Sequence, residues 1–395
     1  GLGDVYKRQA QYFQDAMFPD ETLLSFKPDI VFIHTTNRNV TDWPEMTDTT
    51  EQIDEKLHTE INRFTAMWKS IAEKFHCPII QNNFEMPLYR LLGSRDAWDI
   101  HGRTNFLTRL NEAFYAYARE NESFYIHDLN FVSADYGLKE WSNPLFWNMY
   151  KYAMCFEAIP SFAFSVSHII KSIFGKNKKA LALDLDNTLW GGVVGDDGVD
   201  GIEIGQETGV SQSYYEFQTY VKQLKSLGIV LTVCSKNDHE NAIAGLNHPE
   251  GALRPDDFVI IKANWENKDR NIAETAAELN ILPDSIVFAD DNPAEREIVR
   301  TQIKGAAVPD MDGVENYITT IDRSGFFEVT TFSEDDLKRN EMYKKNALRA
   351  AEMASFGDYN DYLKSLEMHA VIDDFIPVYL ARITQLTNKS NQFNV

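Results

Sequence analysis

The 395-residue sequence predicts an α/β protein built from two three-layer domains with parallel sheets. Short runs rich in β-branched and aromatic residues alternate with longer stretches in which apolar residues recur every three or four positions. Because parallel strands need crossover helices between them, this alternation indicates βαβ units. It occurs in two series, which are separated by a small basic stretch that we interpret as a linker, Phe174 to Lys179.

The first series defines a predicted domain over residues 10–173. Its apolar runs are short enough for strands, and its amphipathic stretches are several helical turns long. The predicted strands are Asp29 to His34, Pro78 to Gln81 and Phe124 to His127, and the predicted helices are Glu51 to Phe75 and Asn105 to Arg119.

The second series defines a predicted domain over residues 179–325. The glycine-rich stretch Val193 to Ile204 suits a hairpin beside its first strand. The predicted strands are Ala180 to Leu185, Ile229 to Cys234, Phe258 to Ile261 and Ile286 to Ala289, and the predicted helices are Gln212 to Leu227, His239 to Leu246 and Lys268 to Leu279.

Both ends of the sequence depart from these patterns. Residues 1–9 (GLGDVYKRQ) match no periodic pattern, and we interpret them as a non-native scar. Residues 326–395 are predicted to contain a charged helical region, Ser333 to Leu366, followed by the start of a mixed C-terminal domain. The pattern stops without a helix cap, so we expect a fragment of a longer protein.

Composition excludes several classes of protein. The formal net charge of −22 argues against partners that are nucleic acids or anionic membrane surfaces, and a hydrophobic fraction of 44% argues against disorder. No apolar run is long enough to predict a membrane-spanning helix. The three cysteines are too scattered for a disulfide framework or a zinc site, which favours a reducing, cytoplasmic location.

Ionisable and hydroxyl side chains follow the strands of the second series directly. Ligands bind at the carboxyl ends of the strands in an open parallel sheet, so these side chains are expected to form one site. They are Asp184, Asp186, Thr188, Ser235, Lys268, Asp290 and Asp291.

Such a set suits phosphoryl transfer. Clustered carboxylates repel one another unless a cation such as Mg²⁺ lies among them. One aspartate can then attack phosphorus, and a second can protonate the leaving group and later activate water. A hydroxyl group and a lysine would hold the phosphoryl oxygens.

The segment Asp184 to Thr188 (DLDNT) resembles the DxDxT motif of the haloacid dehalogenase (HAD) superfamily, with the other residues matching its later motifs. The resemblance implies Asp184 as nucleophile, Asp186 as general acid and base, and Lys268 as charge stabiliser. Thr188, Ser235 and Asn237 would contact phosphate. The implied Mg²⁺ ligands are Asp184, the backbone carbonyl of Asp186, and one or both of Asp290 and Asp291.

Longer stretches resemble the FkbH-like branch of that superfamily, of the subfamily IIIC phosphatase type. Members carry an N-terminal hydrolase-like domain, a Rossmannoid HAD domain and an acyltransferase-like region. The resemblance implies that removal of phosphate from a phosphoglycerate-type acyl compound is coupled to acyl loading of a carrier protein. It rests on Asp184 to Gly195, Cys234 to Asp238, Phe288 to Glu297 and Arg382 to Asn394.

The intervals between the motifs leave no room for a large cap domain. One helix and one strand fill most of the sequence from Thr188 to Ser235 and from Ser235 to Lys268, whereas a cap would need about 50 further residues. We therefore expect an open site that is shielded only by the stretch Val193 to Ile204.

Two further features carry competing interpretations. Cys234 precedes Ser235, so it is either a buried, packed side chain or an acyl acceptor. In the first series, His34 and the His127-Asp128 pair resemble positions of the SGNH hydrolase fold. No Gly-Asp-Ser block is visible, however, and Phe131 stands where the Asp-x-x-His block needs histidine. Either the nucleophile belonged to an N-terminal segment that this sequence lacks, or the domain is a non-catalytic scaffold, and we favour the scaffold.

The sequence thus predicts a Mg²⁺-dependent phosphatase or phosphotransferase of the HAD superfamily, acting through Asp184 on a phosphorylated small molecule, with an acyl carrier protein as a possible partner. Two alternatives remain open. One is a simple small-molecule or sugar-phosphate phosphatase, and the other is a binding protein with a vestigial site.

Overall fold

The protein contains two separate parallel sheets, as the sequence predicts. The structure is a computed structural model that describes residues 12–332, 334, 338–346, 367 and 369. Residues 338–346 are helical, within the predicted helical region. The predicted N-terminal scar and the motif Arg382 to Asn394 lie outside the described residues.

The first sheet has three parallel strands in the order β1-β2-β3. The long helix α3 begins with a capping box in which Thr49 and Gln52 exchange hydrogen bonds. Its apolar stripe packs with α4 around Phe64 and Trp68, which are both buried. The elements are α1 (Tyr12–Met17), α2 (Glu21–Phe26), β1 (Val31–Ile33), α3 (Thr50–Phe75), β2 (Ile79–Asn82), α4 (Arg103–Glu120) and β3 (Phe124–His127).

Four helices connect the two sheets, and the sequence analysis did not predict them. The helices are α5 (Leu129–Tyr136), α6 (Leu138–Trp141), α7 (Pro144–Tyr150) and α8 (Ile159–Ile173). The helices α6 and α7 are shorter than about two turns, too short to show an amphipathic repeat. The longer α8 does bury a stripe that includes Val166 and Ile169, which the sequence prediction overlooks.

The second sheet has four parallel strands in the order β6-β5-β4-β7. Its central strands are buried along their whole length. The elements are β4 (Ala180–Leu183), α9 (Val194–Asp197), α10 (Gly209–Ser226), β5 (Val230–Ser235), α11 (His239–Leu246), β6 (Ile260–Ala263), α12 (Lys268–Glu278), β7 (Ile286–Ala289), α13 (Pro293–Gln302) and α14 (Tyr317–Arg323).

The alternation of side chains along β4 divides the core into two layers. Leu181 and Leu183 face the layer that contains Phe217 of α10, and Ala180 and Ala182 face the layer that contains Ile272 of α12. Helices therefore cover both faces of the sheet, and only its edges and strand ends remain for a binding site.

The predicted hairpin at Val193 to Ile204 is wrong. A short helix, α9, is followed there by the 3₁₀ turn Val199–Gly201. Only an isolated antiparallel bridge between Gly191 and Glu203 resembles a hairpin. No cap domain interrupts the second sheet within the described residues, as the motif spacing predicts, and no described helix is long and apolar enough to cross a membrane.

The packing of α11 can be tested at Gly245, which lies in close contact with the buried Trp190 ring. A Cβ atom at Gly245 would lie 2.8 Å from the ring. We expect Gly245→Ala to lower the free energy of unfolding by about 1–3 kcal/mol because of overpacking. Denaturant unfolding measures this change. Gly209→Ala, at the open start of α10, is the matched control and should leave stability unchanged or raise it.

Candidate active site

The loop after β4 brings two aspartates to the carboxyl end of the sheet. Asp184 extends the pairing with β7, since its backbone N–H donates to the carbonyl oxygen of Ala289 at 3.0 Å. Asn187 then adopts a left-handed conformation with φ of 56°. The hydroxyl groups of Tyr214 and Tyr317 both donate to the Asn187 carbonyl oxygen, at 3.3 Å and 3.1 Å. Side chains of α10 and α14 therefore hold this turn in place.

The Asp186 carboxylate is held by three donors. Its Oδ1 accepts from Trp190 Nε1 at 2.9 Å and from the Val194 backbone N–H at 3.0 Å. Its Oδ2 accepts from Asn237 Nδ2 at 2.9 Å. Burial is the main cause that raises the pKa of Asp186, and the charge of Asp184 adds to it. A carboxyl group that keeps its proton more readily than usual is suited to protonate a leaving group.

Lys268 lies between two buried carboxylates. Its Nζ is 3.0 Å from Asp184 Oδ2 and 2.5 Å from Asp290 Oδ2. Burial alone would lower the pKa of the Lys268 ammonium, but Asp184 and Asp290 raise it above its usual range. The lysine is therefore charged, and it fixes one oxygen of each carboxylate.

Asp184, Asp290 and Asp291 form a group that can hold a metal ion. One carboxylate oxygen from each lies within 4.8 Å of the others. Asp184 Oδ1 is buried and has no hydrogen-bond partner. An unpaired carboxylate oxygen is costly to bury, and a hard divalent cation among oxygen ligands removes that cost. The residues present thus fit a divalent cation.

Thr188 connects the first motif to the last. Its hydroxyl group donates to Asp291 Oδ1 at 3.3 Å and accepts from the Asp291 backbone N–H at 3.1 Å. Thr188 is fully buried and does not line the cavity. The sequence predicts that Thr188 contacts phosphate, whereas in this structure its hydroxyl group orients Asp291.

A cavity of about 190 Å³ opens at these strand ends. Ser235, at the carboxyl end of β5, reaches it as expected. Asn237 instead points its amide at Asp186 and does not line it. The lining residues are Asp184, Asp186, Asn187, Ser235, Lys236, Lys268, Asp291, Asn292 and Glu295.

Cys234 does not line this cavity. It is fully buried among the apolar residues on the α12 side of the sheet. Its thiol donates to the carbonyl oxygen of Lys268 at 3.7 Å, and burial raises the pKa of the thiol. This position favours the packing interpretation over that of an acyl acceptor, because a nucleophilic cysteine needs an accessible thiolate.

Three residues outside the predicted catalytic, phosphate-binding and metal-binding set also contribute to the site. Lys236 and Glu295 form an ion pair at 2.6 Å on the cavity wall. Arg296 is buried and donates to the backbone carbonyls of Asp290 and Asp291, at 3.0 Å and 2.7 Å. The contact of Lys236 with Glu295 joins residues 59 positions apart, whereas Arg296 lies five to six residues from its partners. The available sequence signal is that the segments Cys234 to Asp238 and Phe288 to Glu297, on which the resemblance rests, contain all three residues.

Polar side chains also line the carboxyl end of the first sheet, but they mainly bind one another. Asn82 Oδ1 accepts from the Thr35 backbone N–H at 2.8 Å, and Asn83 Nδ2 donates to Asp128 Oδ1 at 2.7 Å. His127 Nε2 lies 3.1 Å from Ser165 Oγ. Burial is the main cause that lowers the pKa of His127 to about 4, so the ring is neutral at neutral pH.

Comparison with known proteins places this geometry in a family. No protein-family model matches the chain, and no curated protein matches it. A crystal structure of the N-terminal part of the protein BF1531 from Bacteroides fragilis, which contains a phosphatase domain and is complexed with Mg, is 31% identical in sequence. The match covers 82% of this chain and 86% of that chain, with a TM-score of 0.75. The chain belongs to the same family as this BF1531 segment.

The likeness to the BF1531 segment is not confined to the second sheet. A match over 82% of the chain is longer than either sheet region alone, so it includes residues of both.

Glu85, three residues after the central strand β2 of the first sheet, is a titratable group whose effect on stability can be measured. Burial raises its pKa to about 8, and its Oε2 has no hydrogen-bond partner. At low pH the Glu85 carboxyl group is neutral in both the folded and the unfolded protein, so burying it has no electrostatic cost. Above the pKa of the unfolded state only the unfolded protein releases the proton readily, so the free energy of unfolding falls as the pH rises towards about 8. We expect Glu85→Gln to gain about 3–5 kcal/mol relative to the wild-type protein between pH 5 and pH 9.

Denaturant unfolding at both pH values measures this gain. The exposed Glu55→Gln is the control and should show no pH-dependent difference from wild type. An equal effect of Glu85→Gln at both pH values would contradict the buried, neutral carboxyl group.

Proposed function

We propose that the protein is a Mg²⁺-dependent phosphatase or phosphotransferase of the HAD type that acts through Asp184. The observation that carries the proposal is the unpartnered Asp184 Oδ1 beside two further carboxylates, at a cavity that also contains Asp186 and Lys268. The family relation supports it, because the related BF1531 structure contains a phosphatase domain and is complexed with Mg.

Asp184, Asp290 and Asp291 would hold the Mg²⁺ ion, together with the backbone carbonyl of Asp186. Bound there, Mg²⁺ would neutralise the carboxylates and let a phosphate dianion approach them. Lys268 keeps Asp184 and Asp290 in place, and Thr188 and Arg296 orient Asp291 from the other side.

The proposed reaction has two steps at Asp184. First, a carboxylate oxygen of Asp184 attacks phosphorus, the bond from phosphorus to the leaving oxygen breaks, and Asp186 gives its proton to that oxygen. In the second step, Asp186 takes a proton from water as the water attacks the aspartyl-phosphate. The bond between phosphorus and Asp184 breaks, and inorganic phosphate leaves. Transfer to an alcohol in place of water would make the protein a phosphotransferase.

Other residues of the chain contribute charge and position. The Lys268 ammonium offsets the negative charge that develops on the phosphoryl oxygens. Ser235 lies on the cavity wall, where its hydroxyl group is placed to donate to one of these oxygens. Asn237 and Trp190 keep Asp186 directed at the leaving group through their hydrogen bonds.

The FkbH-like assignment and the coupling to acyl loading of a carrier protein rest on the sequence resemblance. The buried Cys234 gives no support to an acyl acceptor at this site, so we propose dephosphorylation of a phosphorylated small molecule as the reaction. The mutually bonded polar groups of the first sheet support a scaffold as the role of the N-terminal domain. Three unpaired cysteines are in keeping with a cytoplasmic location.

Replacement of the proposed nucleophile tests the mechanism. We expect Asp184→Asn to lower the rate of phosphate release at least about a thousand-fold, because an amide cannot form the aspartyl-phosphate. Phosphate release from acyl and sugar phosphates, with and without Mg²⁺, measures this rate. Asp256→Asn, at an exposed position outside the site, should keep full activity.

Two results would contradict the proposal. Activity that survives Asp184→Asn would exclude the nucleophile. A folded wild-type protein that binds Mg²⁺ but releases phosphate from no substrate would favour the vestigial binding protein.

Metal binding can be tested without a substrate. Because Mg²⁺ binds only the folded site, a concentration of about 100 Kd should stabilise the protein by about 2.7 kcal/mol, which appears as a rise in Tm. Asp291→Asn should abolish most of this rise, and Asp256→Asn should retain it. Calorimetric titration of Mg²⁺ gives the two affinities directly. Equal Mg²⁺ affinity in Asp291→Asn and wild type would remove Asp291 from the ligand set.

A further inference from the structure

Exposed apolar side chains concentrate on one short part of the segment between the two sheets. Six large side chains there are 38–59% exposed: Leu145, Phe146, Met149, Tyr150, Tyr152 and Phe156. Four of them, which we call the aromatic row, contact one another in sequence. The ring centroids of Phe146 and Tyr150 are 6.3 Å apart, those of Tyr150 and Tyr152 5.3 Å, and those of Tyr152 and Phe156 4.8 Å.

The backbone holds the aromatic row in place. Asn143 caps the start of α7 by accepting from two backbone N–H groups, and α7 ends at Lys151, whose φ is 60°. This left-handed residue follows α7, and beyond it Tyr152 contacts Tyr150 while Phe156 contacts Tyr152. The Cys155 backbone N–H donates to the carbonyl oxygen of Trp141 at 2.8 Å. The exposed rings are thus presented by a fixed backbone, which lowers the entropy cost of binding a partner.

The exposed area is close to that needed for a protein interface. Each of the six side chains offers on the order of 100 Å² when half exposed, or about 600 Å² together. A stable interface of ordinary size buries about 800 Å² on each partner. Exposed apolar residues elsewhere on protein surfaces are usually single and scattered. The aromatic row with its neighbours therefore has the size of an interface core.

The aromatic row adjoins one charge of each sign, Lys151 and Glu157, and the exposed Arg38 stacks on the neighbouring Trp147 ring. The chain as a whole carries −22, but residues 129–173 contain three lysines and three acidic residues and so carry no net charge. Two copies that meet here avoid the repulsion that their other surfaces would cause.

Two charged residues next to the rings of the row have opposite signs. Lys151 follows Tyr150 and Glu157 follows Phe156, and both are exposed. Neither forms an ion pair with any described residue. The Lys151 ammonium lies instead over the Trp147 ring, 5.4 Å from its centroid. In a two-fold interface residue i meets residue j of the partner and the reverse, so such a pair is self-complementary.

We propose that the aromatic row is the core of a two-fold homodimer interface, in which Lys151 faces Glu157 of the partner subunit. The axis passes between these two residues, and both copies contribute the same apolar side chains. This interface is separate from the proposed phosphatase site, so either inference can fail without the other.

The oligomeric state of the whole chain tests the interface. Sedimentation velocity or light scattering from about 1 to 100 μM should show a dimer that dissociates on dilution. Tyr150→Glu should give a monomer with an unchanged circular dichroism spectrum, since the side chain is 53% exposed. Leu282→Glu, at an exposed apolar position in the second domain, should remain dimeric. A wild-type monomer at all concentrations, or a dimer that survives Tyr150→Glu, would overturn the proposal.

Charge exchange tests the two-fold pairing. Lys151→Glu and Glu157→Lys should each weaken self-association at least about tenfold, because like charges then face each other. An equal mixture of the two variants should form a heterodimer, because the two acidic side chains of one variant then face the two basic side chains of the other. The double variant should dimerise like wild type. Failure of both the mixture and the double variant to recover would exclude the proposed pairing.

Discussion

The Lys268 ammonium, buried between Asp184 and Asp290, is the contact on which the site depends. Its two partners come from the ends of β4 and β7, and Lys268 itself is the first residue of α12. Burying two carboxylates side by side would be unfavourable without this cation, and burying the cation without them would be equally costly. The three groups are stable only together, so their mutual positions are fixed before any ligand arrives.

Neighbouring contacts extend this arrangement to the rest of the cavity. Arg296 binds the carbonyls of Asp290 and Asp291, while Thr188 binds the Asp291 side chain and backbone. Two loops that are far apart in sequence are thereby held against one another. Of the two Asp184 carboxylate oxygens, Oδ2 binds Lys268 and Oδ1 has no hydrogen-bond partner. The ordered site thus leaves Asp184 Oδ1 free for the cation that the three carboxylates can hold.

Apolar runs and periodic apolar stripes in the sequence predicted the buried strands and the helices that pack on them. The bounds of β3, α11 and β7 agree with the predicted ranges, because apolar runs and stripes mark burial directly. Sequence patterns do not predict α5 to α7, because α6 and α7 are too short for a repeat and α5 has only a weak stripe. The stripe of α8, with Val166 and Ile169 buried, was present in the sequence and was overlooked. The loop at Val193 to Ile204 was read as a hairpin because glycine indicates a turn without showing whether the flanking backbone pairs or coils.

The same limit applies to the site. Strand ends predicted which carboxylates would meet, because parallel topology alone brings them together. The partners of each side chain could not be predicted in this way. Whether Thr188 binds Asp291 or a ligand depends on sub-ångström placement of two loops, and the contact of Lys236 with Glu295 joins β5 to α13. The period of two along β5 explains one further outcome: it directs Cys234 into the apolar layer and Ser235 to the cavity.

The loop after Asp186 stands where a cap domain would lie in a larger protein. Its two ends meet at the bridge between Gly191 and Glu203, and Trp190 at its base packs against Gly245 of α11. Asp186 accepts hydrogen bonds from Trp190 and Val194 of this loop. The side chain that would deliver a proton is therefore oriented by the same segment that shields it. A loop bonded to Asp186 in this way is part of the framework of the site, and Lys236 and Glu295, which also line the cavity, belong to other segments of the chain.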